Sequence, residues 1–184
     1  MISAATQTLA DFIASGIAPI RKEQISFRHP RMQHKNIPAL NLYCYRVEAS
    51  EWNNSSSQSF SRTSAHVDRE YVPIRNDKET HSQLVCQWFE LTFLISVSSH
   101  TALAEQHVLS EILAMCSSYC FLPEEFLSPL LRGQGQLPMK VSTEAVPDNL
   151  LFWQVLRTPL QLALHVTITV PFFQHLGFRE QLSS

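Results

Sequence analysis

Glycine is scarce, with four in 184 residues and no Gly-x-Ser-x-Gly or Gly-x-Gly-x-x-Gly run among them. A strained nucleophile elbow and a glycine-lined phosphate cradle both require such runs, so serine hydrolase chemistry and dinucleotide binding have no support. Gly133 and Gly135 form a lone pair of the kind that makes a turn. Charge is scarce too: Asp, Glu, Lys and Arg make up 16% of the chain, with a formal net charge of -2 and the basic residues scattered. Without a basic patch there is no electrostatic footprint for a phosphate backbone, and nucleic acid is not an expected partner. The same scarcity leaves less charged surface than a free monomer usually carries, which points to surface buried against partners.

Long apolar runs are also missing. Gln87, Glu90, Gln161 and His165 interrupt the greasiest stretches before they reach the roughly 20 residues of a membrane span. No direct membrane insertion is expected. Gln7 and Asp11 stand where a secretory signal would be apolar, so a cytoplasmic location is expected, and with it reduced cysteines. Cys44, Cys86, Cys116 and Cys120 include no Cys-x-x-Cys pair. At this length, one domain spanning 1–184 is the natural reading.

Apolar periodicity is what the chain does have. Ile2, Ala5, Leu9, Phe12 and Ile13 recur at helical spacing, with Gly16 and Pro19 as the stop. Strands are predicted over 24–28 and 39–48, the second with both faces buried. The stretch 49–82 then loses apolar periodicity and gathers Ser55, Ser56, Ser57, Ser59, Ser61 and Ser64, so it is read as a long flexible or interface loop, with Tyr71, Val72 and Ile74 as a candidate short strand. The clearest strand covers 84–97, with Phe89, Leu91, Phe93, Ile95 and Val97 on one face and Trp88, Glu90, Thr92 and Ser96 on the other. A helix with Leu103, Leu109, Ile112, Leu113 and Cys116 on its stripe follows. Then come a short strand at Leu137, Met139 and Val141, and a short helix opened by Pro147 and Asp148 and buried through Leu151, Phe152, Val155 and Leu156. The last strand places Leu160, Leu162, Leu164, Val166, Ile168 and Val170 on one face, opposite Gln161, His165, Thr167 and Thr169. This order predicts an α/β (α+β) domain: a mixed four- to five-stranded sheet with helices chiefly on one face and a tail over 171–184.

Chemistry-bearing residues do not assemble into a site. His29 with His34 and His100 with His107 lack a recognised ligand spacing, and a metalloenzyme built on them is the weakest reading. Cys116 and Cys120 are four apart and read as small buried hydrophobes. Glu124 and Glu125 suit a helix start better than acid-base catalysis. No catalytic residue, metal or other cofactor is expected. Trp52, Trp88 and Trp153 are candidate interface anchors, with core packing favoured for Trp153. Trp88 and Glu90, with His165 on the last strand, mark a more polar sheet face that either meets a neighbouring subunit or serves a small-ligand or peptide-binding adaptor.

Taken together, several segments resemble one family. They are Met1 to Leu9 (MISAATQTL), Ile25-Ser26-Phe27 with nearby Pro30, Leu40 to Glu48 (LNLYCYRVE), Trp88 to Ile95 (WFELTFLI), His107 to Leu113 (HVLSEIL), and Leu151 to Leu156 (LFWQVL) leading into 162–171. In this order they resemble the cap, or tail-terminator, proteins of extracellular contractile injection systems of the Photorhabdus virulence cassette and antifeeding-prophage type. The Ser-rich insertion after Glu48 and the tail after Pro171 depart from the pattern. The resemblance implies a structural, non-enzymatic cap that ends tube and sheath growth at the end distal to the baseplate. It implies a six-membered ring as part of an assembled particle, with the sheath protein and inner tube protein as partners. Trp52, Trp88, Glu90 and His165 are the expected interface residues.

Overall fold

A computed structural model describes residues 1–18, 20–32, 39–51, 84–142 and 149–175. Pro19, His34, Trp52, Pro147, Asp148, the candidate strand around Tyr71, nearly all of the predicted loop and the tail beyond 175 lie outside the described residues.

The described elements form a five-stranded mixed sheet in the order β1-β2-β3-β5-β4. Its members are β1 (Ile25–Ser26), β2 (Ala39–Ala49), β3 (Leu84–Ser98), β4 (Met139–Val141) and β5 (Ala163–His175). β3 and β5 run antiparallel from Leu84 against His175 to Ser96 against Ala163, and β2 lies antiparallel along the other side of β3. β1 adds a short parallel pairing at Leu40 and Asn41. This domain is the α+β architecture that the sequence predicts, although β1 is shorter than predicted and β2 is buried only at its start.

Two helices cover one face. In α1 (Ile2–Gly16) the apolar spacing buries Ala5, Leu9, Phe12 and Ile13, and the Phe12 ring meets Tyr119 and Phe126 edge-on at 5.3 and 5.7 Å. Thr8, fully buried on the same helix, accepts the Ser128 N–H at 3.0 Å and ties the 3₁₀ segment after α2 to α1. α2 (Ala102–Ser118) starts at Thr101, whose hydroxyl accepts the Ala104 N–H, while the Glu105 carboxylate reaches back to the Ser99 N–H. The first contact satisfies a donor that a helix start leaves open, and the second ties the preceding turn to the first turn of the helix. Val108, Leu109, Ile112 and Cys116 form its buried stripe; Leu103, expected on that stripe, is exposed, being five residues from Val108 and well round the helix from it. Cys120 is exposed rather than buried, because α2 ends at Ser118 and the residue no longer shares the helical face. Both helices pack on Leu40, Leu42, Leu91, Phe93, Ile95, Val166, Ile168 and Val170 in the main core.

The third helix sits on the opposite face. α3 (Asn149–Val155) buries Trp153, with Leu156 just after it, against Leu94 in a second, smaller cluster. Leu151 and Val155, expected to be buried, are exposed, while Phe152 and Leu156, expected on the same side, do pack into the cluster beside Trp153. The helix ends in a Schellman arrangement: Thr158 N–H bonds to the Trp153 carbonyl and Arg157 N–H to that of Gln154. Arg157 holds a φ of 52° at the position where glycine is usual. Pro159 then prevents continuation. Because β5 starts only at Ala163, Leu160 and Leu162 belong to the exposed connection and not to the strand face they were predicted to share.

Two outcomes are expected. Phe93→Ala, at a side chain with no exposed surface, lowers unfolding free energy by about 3–5 kcal/mol in denaturant titration. Arg157→Gly, at the left-handed position, raises it by about 1 kcal/mol in the same assay.

Candidate assembly interface

Sheet register arranges the face that carries α3 into rows running across the strands. Tyr43, Leu94 and His165 are aligned beside the helix. The next row runs Arg46, Thr92, Thr167, Lys140 across four strands, and the one after it Glu48, Glu90, Thr169. In the middle of the basic row the buried hydroxyls of Thr92 and Thr167 lie 3.2 Å apart and share a hydrogen bond. Arg46 pairs with Glu48 at 2.5 Å and Lys140 with Glu90 at 3.4 Å, so each basic side chain is neutralised by the adjacent row. Exposed pairs of this kind add about 0–1 kcal/mol each to stability; their main effect is to keep a polar, charge-balanced surface.

A register shift between Cys44 and Arg46 inserts Tyr45 as an extra residue in β2. This extra residue meets a partner 120 positions away: the Tyr45 hydroxyl lies 2.9 Å from His165 Nδ1. Phe152 of α3 closes the group, its ring centroid 5.0 Å from Tyr45 and 5.7 Å from His165. Removal from water lowers the His165 pKa and raises that of Tyr45, so both are held neutral at pH 7. His165 also uses its carbonyl, which accepts the Ser142 N–H at 2.7 Å.

Of the residues singled out from sequence, Glu90 and His165 lie on this face, in different rows. Trp88 is half-buried and packs against the main core cluster, while its carbonyl accepts the Ser50 N–H at 2.8 Å. Trp52 lies outside the described residues. Sequence reasoning did not single out Tyr45, Phe152 or the apolar surface beside them. Leu150, Leu151 and Val155 of α3, with Leu160 and Leu162 of the following connection, are each more than half exposed. Five large aliphatic side chains within 13 positions are thus left exposed, a local concentration of apolar surface of the kind found at association surfaces.

A groove of about 720 Å³ opens at the end of α1, lined by Asp11, Ser15, Ile17, Ile20, Arg21 and Phe126, and none of Trp88, Glu90 or His165 borders it. Among the described residues no group of three or more His, Cys, Asp or Glu is placed to hold a metal ion. Burial pushes the Cys116 thiol up to about 12, which leaves it an inert core side chain.

With this fold in hand, comparison with known families is decisive: the family model described as the Pvc16 N-terminal domain matches residues 4–179. The chain belongs to that family. As a Pvc16 N-terminal domain it is similar in fold to two solved structures. One is the sheath/tube terminator of the PVC extracellular contractile injection system in its extended state, with a TM-score of 0.58 and 16% identity over 100% of this chain and 62% of that one. The other is the anti-feeding prophage cap, described as a tube terminating cap, with a TM-score of 0.52 and 16% identity over 100% of this chain and 59% of that one. The chain therefore spans about three-fifths of the length of the solved chains it matches. Comparison with curated proteins returns no match. Among the described residues of this Pvc16 N-terminal domain, no helix is long and apolar enough to cross a membrane.

One buried residue of the domain is out of balance. Asn41, 1% exposed on β2, has neither amide atom hydrogen-bonded among the described residues. Leaving such a group unpaired costs about 1–3 kcal/mol. Asn41→Leu is expected to raise the thermal midpoint; a fall would mean that the amide has a partner in solution.

Proposed function

We propose that this chain is a structural cap, or tail terminator, of a contractile phage-tail-like injection particle, ending tube and sheath polymerisation at the end distal to the baseplate. Its partners in this reading are the sheath protein and inner tube protein of the same particle, together with further copies of itself in a six-membered ring. The chain would be made in the cytoplasm and act within the assembled particle. The carrying observation is the likeness of the whole chain to two terminators, within a family whose model spans residues 4–179. The exposed aliphatic side chains of α3 and its connection support the same reading, because a ring subunit must bury part of its surface against neighbours. The task is to occupy a polymer end and withhold the next addition site, and it requires no catalytic group.

The sheet edges bear on how contacts form. Ser50 N–H bonds to the Trp88 carbonyl, so even-numbered β3 residues here direct their main-chain groups toward β2, and Glu48 pairs with Glu90 in that ladder. Val47 and Ala49 then direct theirs outward, beyond the short reach of β1. On the opposite side, Thr169 N–H bonds outward to the Pro138 carbonyl, and Pro171, two residues on, offers no N–H at the next outward position. An added strand is therefore accepted more readily along β2 than along β5. In this reading the loop expected over 49–82 and the tail expected over 171–184, around one terminator-like domain, supply the arms that reach neighbouring subunits or sheath through their parts beyond β2 and β5, since Ala49 and residues 171–175 are paired in the sheet.

Three measurements test the proposal. Particles imaged by negative stain from cells lacking the chain should have uncontrolled length, contract prematurely or be absent; unchanged particles would overturn the cap assignment. Leu151→Glu combined with Val155→Glu should keep stability within about 0.5 kcal/mol of wild type, since both side chains are already exposed, yet prevent incorporation into particles. Val47→Pro removes one outward N–H and should leave the fold intact while weakening association with sheath; normal association would exclude the β2 edge as the acceptor.

A further inference from the structure

Three features of α3 set it apart from the other helices. It has seven residues, it is the one α-helix on its face of the sheet among the described elements, and it packs into a cluster of its own, Leu94, Trp153 and Leu156 flanked by Tyr43, Tyr45, Phe152 and Ala163. Elements held by small separate clusters open at lower free energy than the main core. The side-chain hydrogen bond at this cluster joins Tyr45 to His165, and the Phe152 ring of α3 contacts both partners. We propose that α3 is an acid-sensitive latch: protonation of His165 places a charge beneath the helix and loosens α3 from the sheet while the β3–β5 core stays closed.

The bond itself changes character on protonation. With Nδ1 bare, the Tyr45 O–H donates to it. Once Nδ1 carries a proton, it must donate to the phenol oxygen, and the phenol proton has to turn away from the imidazole. Among the described residues no carboxylate is hydrogen-bonded or ion-paired to the ring. The titratable or charged side chains on the elements packed around it are His29, whose ring centroid lies 5.2 Å from that of Tyr43, then Tyr43, Tyr45, Arg46 and Glu48 from β2, Glu90 from β3, Lys140 from β4 and Arg157 from the turn after α3. Register puts Arg46 and Lys140 in the row next to His165, with Glu48 and Glu90 one row further away and already paired to them. Arg46 and Lys140 are thus already paired, and what opposes a charge on His165 is its removal from water.

The sign follows from linkage. Desolvation lowers the His165 pKa in the folded chain below its ordinary value of 6.5. The unfolded or undocked form therefore binds the proton more readily, and docking is at full strength at neutral pH and weakens as pH falls below about 6.5. Undocking would carry Leu150, Leu151 and Val155 away with the helix and expose Tyr43, Tyr45 and Leu94, remodelling the apolar surface next to the polar rows.

Hydrogen–deuterium exchange of the intact chain at pH 7.5 and 5.5, corrected for intrinsic exchange rates, tests this directly. Protection of the α3 amides should fall several-fold at pH 5.5 while the amides of β3 over 91–97 keep theirs. In His165→Gln, which keeps a neutral hydrogen-bonding side chain, protection of α3 should no longer depend on pH. Unchanged α3 protection in the wild type, a parallel loss in β3, or the same pH dependence in His165→Gln would each overturn the latch. Should that variant not fold, the wild-type contrast between α3 and β3 decides alone.

Discussion

The antiparallel ladder between β3 and β5, running unbroken from Leu84 against His175 to Ser96 against Ala163, is the member on which the other elements hang. It sets two surfaces at once, because successive side chains of a strand alternate between faces. On one side Leu91, Phe93 and Ile95 meet Val166, Ile168 and Val170 and give α1 and α2 a continuous apolar floor. On the other, Leu94 and His165 stand at one end and Glu90 and Thr169 further along, so that this face changes from apolar to charged over a few rows. Removing Phe93 would undermine both helices, whereas loss of α3 would leave the ladder and the main core standing.

This asymmetry suits the proposed structural role, in which the work is contact. The main core supplies stability through burial, and the opposite face is free to carry a small helix with aliphatic side chains turned outward and rows of paired charges beside it. The edges are managed as well: Pro171 removes a donor on β5, and the extra residue at Tyr45 distorts the β2 ladder. Uncontrolled strand addition is discouraged without abolishing every acceptor position. The proposed cap role would require that balance, since a cap must bind the end of a growing polymer and present no equivalent end of its own.

The acid latch and the cap role are physically independent. The latch depends on a histidine, a tyrosine and a phenylalanine in one cluster; the cap role depends on outward surfaces and edges. They meet at α3, whose inner side carries the first and whose outer side contributes to the second.

Local order was legible in the sequence wherever backbone periodicity and burial coincide. The alternation from Phe89 to Val97 and from Leu164 to Val170 gave the two long strands, and the three-to-four spacing of Leu9, Phe12 and Ile13, or of Leu109, Ile112 and Cys116, gave the helices. The resemblance of these ordered segments to terminators was legible too, and the family match agrees with it. What periodicity left undecided is which of two apolar sides a short helix buries. Leu151 and Val155 looked as suitable as Trp153 and Leu156 until Leu94 and Tyr45 fixed the docking side. Leu160 and Leu162 continued the strand pattern, but Arg157 and Pro159 close the preceding helix in a turn that leaves them in the connection. The pairing of Tyr45 with His165 required both the extra residue in β2 and the central position of β3 between β2 and β5. Sequence alone determined the elements, because their periods are properties of the chain; tertiary structure decided the surfaces, because a side chain's neighbours depend on strands more than a hundred residues apart.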